Sequence, residues 1–318
     1  MTATIRFTMR RLAGVVVTLF VASVVIYAAL AIAPGDPAAA LAGGTVPNPE
    51  VLASIRTEYH LDDPFWTQYW HWLSGLLGGD LGRSMVFRSD IADLLAGRVV
   101  NTLMLVCYAG LLTVGFGVGL GVLAALRGGR VDTSVTVGTS VAMAVPTFVL
   151  AIVLIWIFAT HLSWLPVYGS GDGFADKLRH LTLPAIALSF SYVAYVARIT
   201  RAAVSSELHS EHVDTARSRG LPYRRIIRHH VLRNSAGPIL TISGTVVASL
   251  VAGTAVAEAA FGVNGLGSLL VQSAQRQDLA VVQILSMLMV GVFIVVNTVV
   301  DVVNVALDPR LARGGRNT

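Results

Sequence analysis

Glu211 to Asn234 reads EHVDTARSRGLPYRRIIRHHVLRN, and the fold turns on where this stretch can lie. It follows the charge-free run His180–Ala197 and leads into another, Asn234–Ala257. Lipid cannot solvate a segment this polar, so it must emerge at a membrane face between two spans. Nothing in the flanking runs offers reactive chemistry. Function is therefore expected to reside in what docks on this stretch.

The remainder of the chain fits that reading. Of 318 residues, 54% are hydrophobic and only 13% charged, whereas a soluble domain carries about 25% charged residues. Since about 20 apolar residues cross the hydrocarbon core, six charge-free runs predict spans: Leu12–Ala33, Asn101–Leu126, Thr133–Thr160, His180–Ala197, Asn234–Ala257 and Leu279–Val300. The third continues without charge as far as Gly171. An all-α integral membrane bundle follows, because an open structure cannot satisfy its backbone in lipid. The first run exceeds the apolar core of a secretory signal, and Pro34 would follow the cut site after Ala33, so it is expected to remain as a span.

Basic residues orient the bundle. With the N-terminus inside, sixteen Lys and Arg fall on the inner side and seven on the outer. Both termini and Glu211–Asn234 are then cytoplasmic. The net charge of +5 reads as this topological bias, not as a nucleic-acid footprint. The single cysteine, Cys107, falls inside the second run and is expected to be a buried structural thiol; no intrachain disulfide or thiolate metal cluster can form.

The external segment between the first two runs has its own pattern. Pro34-Gly35-Asp36-Pro37 is expected to stop the first helix. Asn48-Pro49-Glu50 predicts a helix start with Val51, Leu52, Ile55 and Tyr59 on one face. A second amphipathic helix is predicted after Asp62-Asp63-Pro64. It carries Trp66, Trp70 and Trp72, three of the five tryptophans, in seven residues. Such clustering suits a membrane interface, so this helix is expected on the outer leaflet as a cap on the bundle and a surface for an external partner.

Inside the spans, Gly115-Phe116-Gly117-Val118-Gly119-Leu120-Gly121 overlays two small-xxx-small pairs, a signal for close helix packing. Pro146, Pro184 and Pro238 predict kinks. Ionisable residues at depth are scarce: Glu258 and Asp301 sit toward span ends, where desolvation is modest. Gln283 and Asn297 are the polar groups of the last run that could line a path. No phosphate-binding loop, H-E-x-x-H or G-x-S-x-G occurs, so this chain is not expected to be an enzyme. His229 and His230 stand among arginines, a poor setting for a metal.

Within the decisive stretch, Ser205–Arg219 predicts one short helix, Gly220 a turn, and Pro222 the start of a second helix. Arg224 and Arg228 would share one side of that helix, and Ile227 and Val231 another. An electrostatic anchor on anionic lipid would account for the arginines. It leaves the pattern Asp214-Thr215-Ala216-Arg217-Ser218-Arg219-Gly220 unexplained.

That pattern resembles the E-A-A-x-x-x-G loop of ABC-importer permeases. With His212-Val213, Gly220-Leu221 and His230-Val231-Leu232-Arg233-Asn234, it is similar to the dipeptide, oligopeptide and nickel branch. The likeness continues in order through Arg11-Leu12, Pro34–Pro37, Leu61–Phe65, Gly79–Ser84, Asn101–Leu103, Glu258 with Gly265-Leu266-Gly267, and Leu307–Arg310. The long first external loop resembles the first permease of the usual pair. Asp214 and Thr215 replace the Glu and first Ala of the general loop, and Arg233 stands where proline is frequent. Phe261–Asn264 departs from the aromatic-proline version of many relatives.

The resemblance implies a six-transmembrane-helix type I importer permease with a coupling helix and a large external loop. Residues 1–33 would hold the N-terminus and first span, 34–99 the external loop, 100–310 the permease core with its coupling loop at 205–234, and 311–318 the tail. Glu211, Asp214, Thr215, Ala216, Arg217, Arg219, Gly220 and Arg224 would engage an ATP-binding subunit. Glu258, Gly265, Gly267 and Gln283 would belong to the external gate or path. Implied partners are a second homologous permease, two ABC ATPase domains carrying ATP and Mg, an extracytoplasmic substrate-binding protein and membrane lipid, with no nucleic acid. No cofactor is expected on this chain. Short peptides are the implied cargo, and nickel chelates, glutathione or haem use the same branch. The other class, a gradient-driven secondary transporter, would show an inverted repeat with broken midplane helices.

Overall fold

A computed structural model describes residues 2–32, 49–58, 62–84 and 86–307. The expected helix stop at Pro34–Pro37, Tyr59, Leu61, the end motif from Asp308 and the tail lie outside the described residues. The elements are α1 (Thr2–Ala31), α2 (Pro49–Glu58), α3 (Phe65–Leu77), a two-stranded hairpin of β1 (Arg83–Ser84) and β2 (Ser89–Asp90), α4 (Ile91–Leu95) and α5 (Arg98–Arg127). Next come α6 (Gly129–Ala144), α7 (Thr147–Leu154) with a π-helical extension to His161, and α8 (Gly173–Leu208). The chain then forms α9 (Glu211–Ser218), α10 (Tyr223–Ile226) running through a π segment into α11 (Leu232–Phe261), α12 (Leu266–Gln275) and α13 (Leu279–Leu307).

Among the described residues, five helical stretches are long and apolar enough to cross a membrane: Arg11–Ala29, Ile91–Arg127, Gly173–Leu208, Tyr223–Phe261 and Leu279–Val302. The predicted third span, Thr133–Thr160, is not one helix. Its halves, α6 and α7, meet at 98°. The cause is local: Pro146 forces Val145 out of the helical region, and both residues are extended, with ψ of 118° and 141°. Pro184 and Pro238 behave differently, lying inside the continuous helices α8 and α11.

The glycine ladder on α5 splits into two faces. A Cβ at Gly117 would strike the Val196 side chain at 2.7 Å, and one at Gly121 would lie 2.5 Å from the Ala197 carbonyl oxygen. Only glycine permits this approach of α5 and α8, which form the most extensive helix pair of the fold. Gly115 and Gly119 face open space.

Three apolar clusters follow. The central one joins α5, α7, α8 and α11 around Leu105, Leu181, Leu188 and Leu250. A second, at the start of α5, packs Ile91 and Leu95 of α4 against Leu266 and Leu269 of α12 and Leu285 of α13. A third, at the far end of α5, packs Val122 and Leu126 around Val204, Val213, Ile226 and Val231. At 1.5 Å per residue, Thr102 and Leu126 are about 36 Å apart along α5, so the last two clusters mark opposite ends of the bundle.

The aromatic helix α3 lies against α1. Tyr69 is fully buried, its hydroxyl 2.8 Å from Ser23 Oγ and its ring edge-on to Phe20 and Tyr27. Arg11 of α1 pairs with Asp301 of α13, which puts the start of α1 and the end of α13 on one side. Gly244 of α11 abuts Val300 of α13. That side is therefore also the one from which α11 rises, next to α9.

Candidate functional site

Leu208 ends α8 sooner than expected. The predicted single helix Ser205–Arg219 is broken at His209 and Ser210, where Ser210 adopts ψ of 148°. The break turns α9 so that Val213 and Ala216 enter the cluster formed by Val204, Ile226 and Val231. Two apolar positions three residues apart are enough to seat two helical turns on that base.

Everything else on α9 points outward. Glu211, Asp214, Thr215, Arg217, Arg219 and Gly220 are exposed, as is Arg224 at the start of α10; Ala216 alone of the predicted set is buried. Arg217 pairs with Asp214 at 3.2 Å on the helix surface. Gly220 terminates α9 with φ of +71°. Its N–H donates to the Arg217 carbonyl at 2.9 Å, and the Leu221 N–H donates to the Ala216 carbonyl at 3.2 Å. This double bond pattern is the Schellman stop, and Leu221 covers the same apolar base. The helix is short, firmly seated and polar on its free side.

His212 knots the base of α9 to both neighbours. Its Nε2 is 3.4 Å from Glu207 on α8 and 3.1 Å from the Asn234 amide on α11. On α10, Ile226, Ile227 and Val231 face inward while Arg224, Arg225 and Arg228 remain exposed, the expected division.

At the other end, Glu258 departs from expectation. It was predicted near an interface with little desolvation, yet its side chain is fully buried within the chain. Thr102 donates its hydroxyl to Oε1 at 2.7 Å, and the Ser268 N–H donates to Oε2 at 2.9 Å. Arg98 lies close enough to interact with its charge. Glu258 thus caps the N-terminus of α12, where free N–H groups and the helix dipole favour an anion. Glycine is required at both predicted positions. A Cβ on Gly265 would collide with the Glu258 carboxyl group, and one on Gly267 would approach the Ala255 Cα at 2.5 Å. Gln283 is half-buried on α13 and is not among the partners of this carboxylate.

One further expectation changes. Cys107 is exposed on the outer surface of α5, because the inward positions of that turn are taken by Leu105, Val106 and Ala109. Asn297 lines an open groove of about 480 Å³ between α1 and α13, together with Arg11 and Thr18.

Several polar links had no sequence signal. Asp132 of α6 takes a two-pronged bond from Arg201 of α8. Ser84 of the hairpin bonds Asp278, which joins α12 to α13, and Arg276 lies over the Phe87 ring. Lys177 donates to Asn101, whose amide donates to the Asn264 carbonyl. Each pair is more than 60 residues apart in sequence, beyond the reach of any local pattern. Among the described residues, no group of three or more His, Cys, Asp or Glu could hold a metal ion.

Comparison with known proteins is consistent with this architecture. Residues 117–313 match the family described as "Binding-protein-dependent transport system inner membrane component". Residues 4–105 match its companion N-terminal family, "Binding-prot-dependent transport system membrane comp, N-term". The chain is 35% identical over 309 residues to the probable peptide ABC transporter permease protein y4tP of Sinorhizobium fredii, covering 96% of this chain and 98% of that one. It is 34% identical over 308 residues to the glutathione transport system permease protein GsiC of Escherichia coli, covering 96% and 99%. Among solved structures, an inward-facing MetNI methionine ABC transporter chain superposes with a TM-score of 0.54 at 18% identity, over 67% of this chain and 96% of that one. That likeness concerns the fold. These relatives give the gradient-driven alternative no support.

Proposed function

Starting from the premise that this chain belongs to the family of binding-protein-dependent transport system inner membrane components, and is a multi-pass permease subunit of an ABC importer, we propose that α9 and the turn after it form its coupling surface for an ATPase subunit. The exposed residues Glu211, Asp214, Thr215, Arg217, Arg219 and Arg224 supply the contacts, and Ala216 and Gly220 fix the shape that presents them. The observation that carries this reading is a short polar helix seated on a buried apolar base and closed by a glycine stop. A helix so anchored moves with the bundle beneath it, so a push on its free face becomes a rigid-body displacement.

The cargo we assign is a short peptide, because both relatives compared above are named for peptides, glutathione being a tripeptide. The chain supplies half of the translocation path and a second homologous permease the other half. Two ABC ATPase domains bind ATP and Mg, an extracytoplasmic binding protein delivers the cargo, and this chain performs no catalysis of its own. The excess of basic residues on the α9 side supports a cytoplasmic position for that side and both termini.

The test is co-purification of the tagged chain from native membranes in mild detergent. Recovery of a second permease with phosphate-loop ATPases is expected, and the ATPases should be lost when Asp214–Gly220 is scrambled in a chain that stays folded. Recovery of the chain alone, with uptake that survives ATP depletion and collapses with the proton gradient, overturns the reading.

A further inference from the structure

The bent pair α6–α7 is the one candidate span among the described residues that is broken in its middle. Its two halves turn through 98° at Val145-Pro146, where both residues are extended and no helix crosses the break. The outward face of α6 is free, with Val137 and Val141 exposed and open space beside Gly138. Nothing on that side fixes the angle at which α6 stands.

The inner side of α6 is fixed through α8 at three levels. Arg201 holds both carboxylate oxygens of Asp132 in the first turn of α6. Ser191 donates to the Ala142 carbonyl at 3.3 Å, and Arg198 reaches the Met143 sulfur at 3.7 Å. Only the first of these is charged and two-pronged. The pair is part-exposed, Arg201 at 39% and Asp132 at 25%, and exposed ion pairs contribute little to stability. A planar guanidinium clasping a carboxylate does, however, fix relative orientation.

Arg201 lies seven residues before the end of α8, and the next helix is α9. Here we propose that Asp132 and Arg201 are positioning residues for transport. Their pair makes α6 travel with α8 when α9 is pushed, so that the bent pair follows the coupling surface. The proposal rests on the assignment of α9 as that surface. Because the pair holds orientation and does not open, a covalent link at the same two positions does the same job.

The experiment uses the assembled transporter in proteoliposomes, with uptake and ATP hydrolysis measured together. D132N and R201Q are expected to retain the ATPase subunits and hydrolysis but to lower uptake per ATP about fivefold or more, the scale of a typical coupling energy. The charge-swapped D132R/R201D chain should recover to within about twofold of the parent. In a C107A background, D132C/R201C should be impaired when reduced and restored when bridged by a short bifunctional thiol reagent. An unchanged ratio in the single variants, no recovery on swapping, or loss of uptake on bridging overturns the proposal. Failure of the α9 assignment is distinguishable, since the ATPases would then stay bound when Asp214–Gly220 is scrambled.

Discussion

Replacing Glu258 by alanine removes the acceptor on which the end of the bundle opposite α9 converges. Two bonds of well-formed length end on this carboxylate, from Thr102 Oγ at 2.7 Å and from the Ser268 N–H at 2.9 Å. Leaving a buried donor without its acceptor costs about 1–3 kcal/mol, so the loss of both bonds costs about 2–6 kcal/mol. Thr102 cannot simply turn away, because its oxygen already accepts the Leu266 N–H at 2.8 Å. In E258Q one oxygen remains an acceptor while the amide NH2 confronts a donor, so about half of that cost is expected. The cycle E258Q against T102V should therefore be non-additive by more than about 0.5 kcal/mol.

The assay is the half-life of the monodisperse complex in detergent at a fixed elevated temperature, since membrane assemblies of this kind unfold irreversibly. If the unfolding barrier loses the lower bound of about 2 kcal/mol, the half-life of E258A falls about 30-fold. An E258A complex that resists heat like the parent but no longer transports would refute this reasoning. It would favour the gate or path role that the resemblance implies for Glu258.

Two further predictions follow from the glycines. Gly121→Leu places its Cβ 2.5 Å from the Ala197 oxygen and 2.6 Å from the Thr200 Cβ, so α5 and α8 must separate; a loss of about 1–3 kcal/mol is expected in the same heating assay, whereas Gly119→Leu, which faces open space, should leave it unchanged. Gly220→Val meets no steric obstacle but must hold φ of +71°. It should cost about 1–2 kcal/mol in the α9 stop and weaken ATPase co-purification, while Gly220→Asn is tolerated.

Periodicity and charge made the spans and the outward polar face of α9 legible, because each depends on residues within one or two helical turns. Pro222 and Gly220 punctuated the turn as their backbone preferences require. The bend at Pro146 was legible only as a kink: its angle depends on what α8 offers to α6, which is 60 residues away. Glu258 was misplaced for a related reason. Hydropathy assigns depth along a span, but burial here comes from α12 folding back over the carboxylate, and the signal for that was the pair Gly265 and Gly267. Their spacing is explained once the close approaches to Glu258 and Ala255 are seen. The same holds for Cys107, whose apolar surroundings in sequence do not reveal which side of α5 it occupies.

The two ends of the bundle are joined by α5 more directly than by any loop. Its first turns hold Thr102, which clamps Glu258 and the start of α12. Its last turns hold Val122 and Leu126, which form part of the base under α9. Between them, Gly117 and Gly121 lock α5 onto α8 without space for sliding. Close-packed interfaces of this kind switch between arrangements and do not bend gradually. A displacement of α9 must therefore carry α5 and α8 together, and with them the clamp at Glu258 about 36 Å away along the helix. Compliance is left to the Val145-Pro146 break. On the proposed coupling at α9, transport by this permease depends on stiffness along α5 and α8 as much as on freedom at one proline.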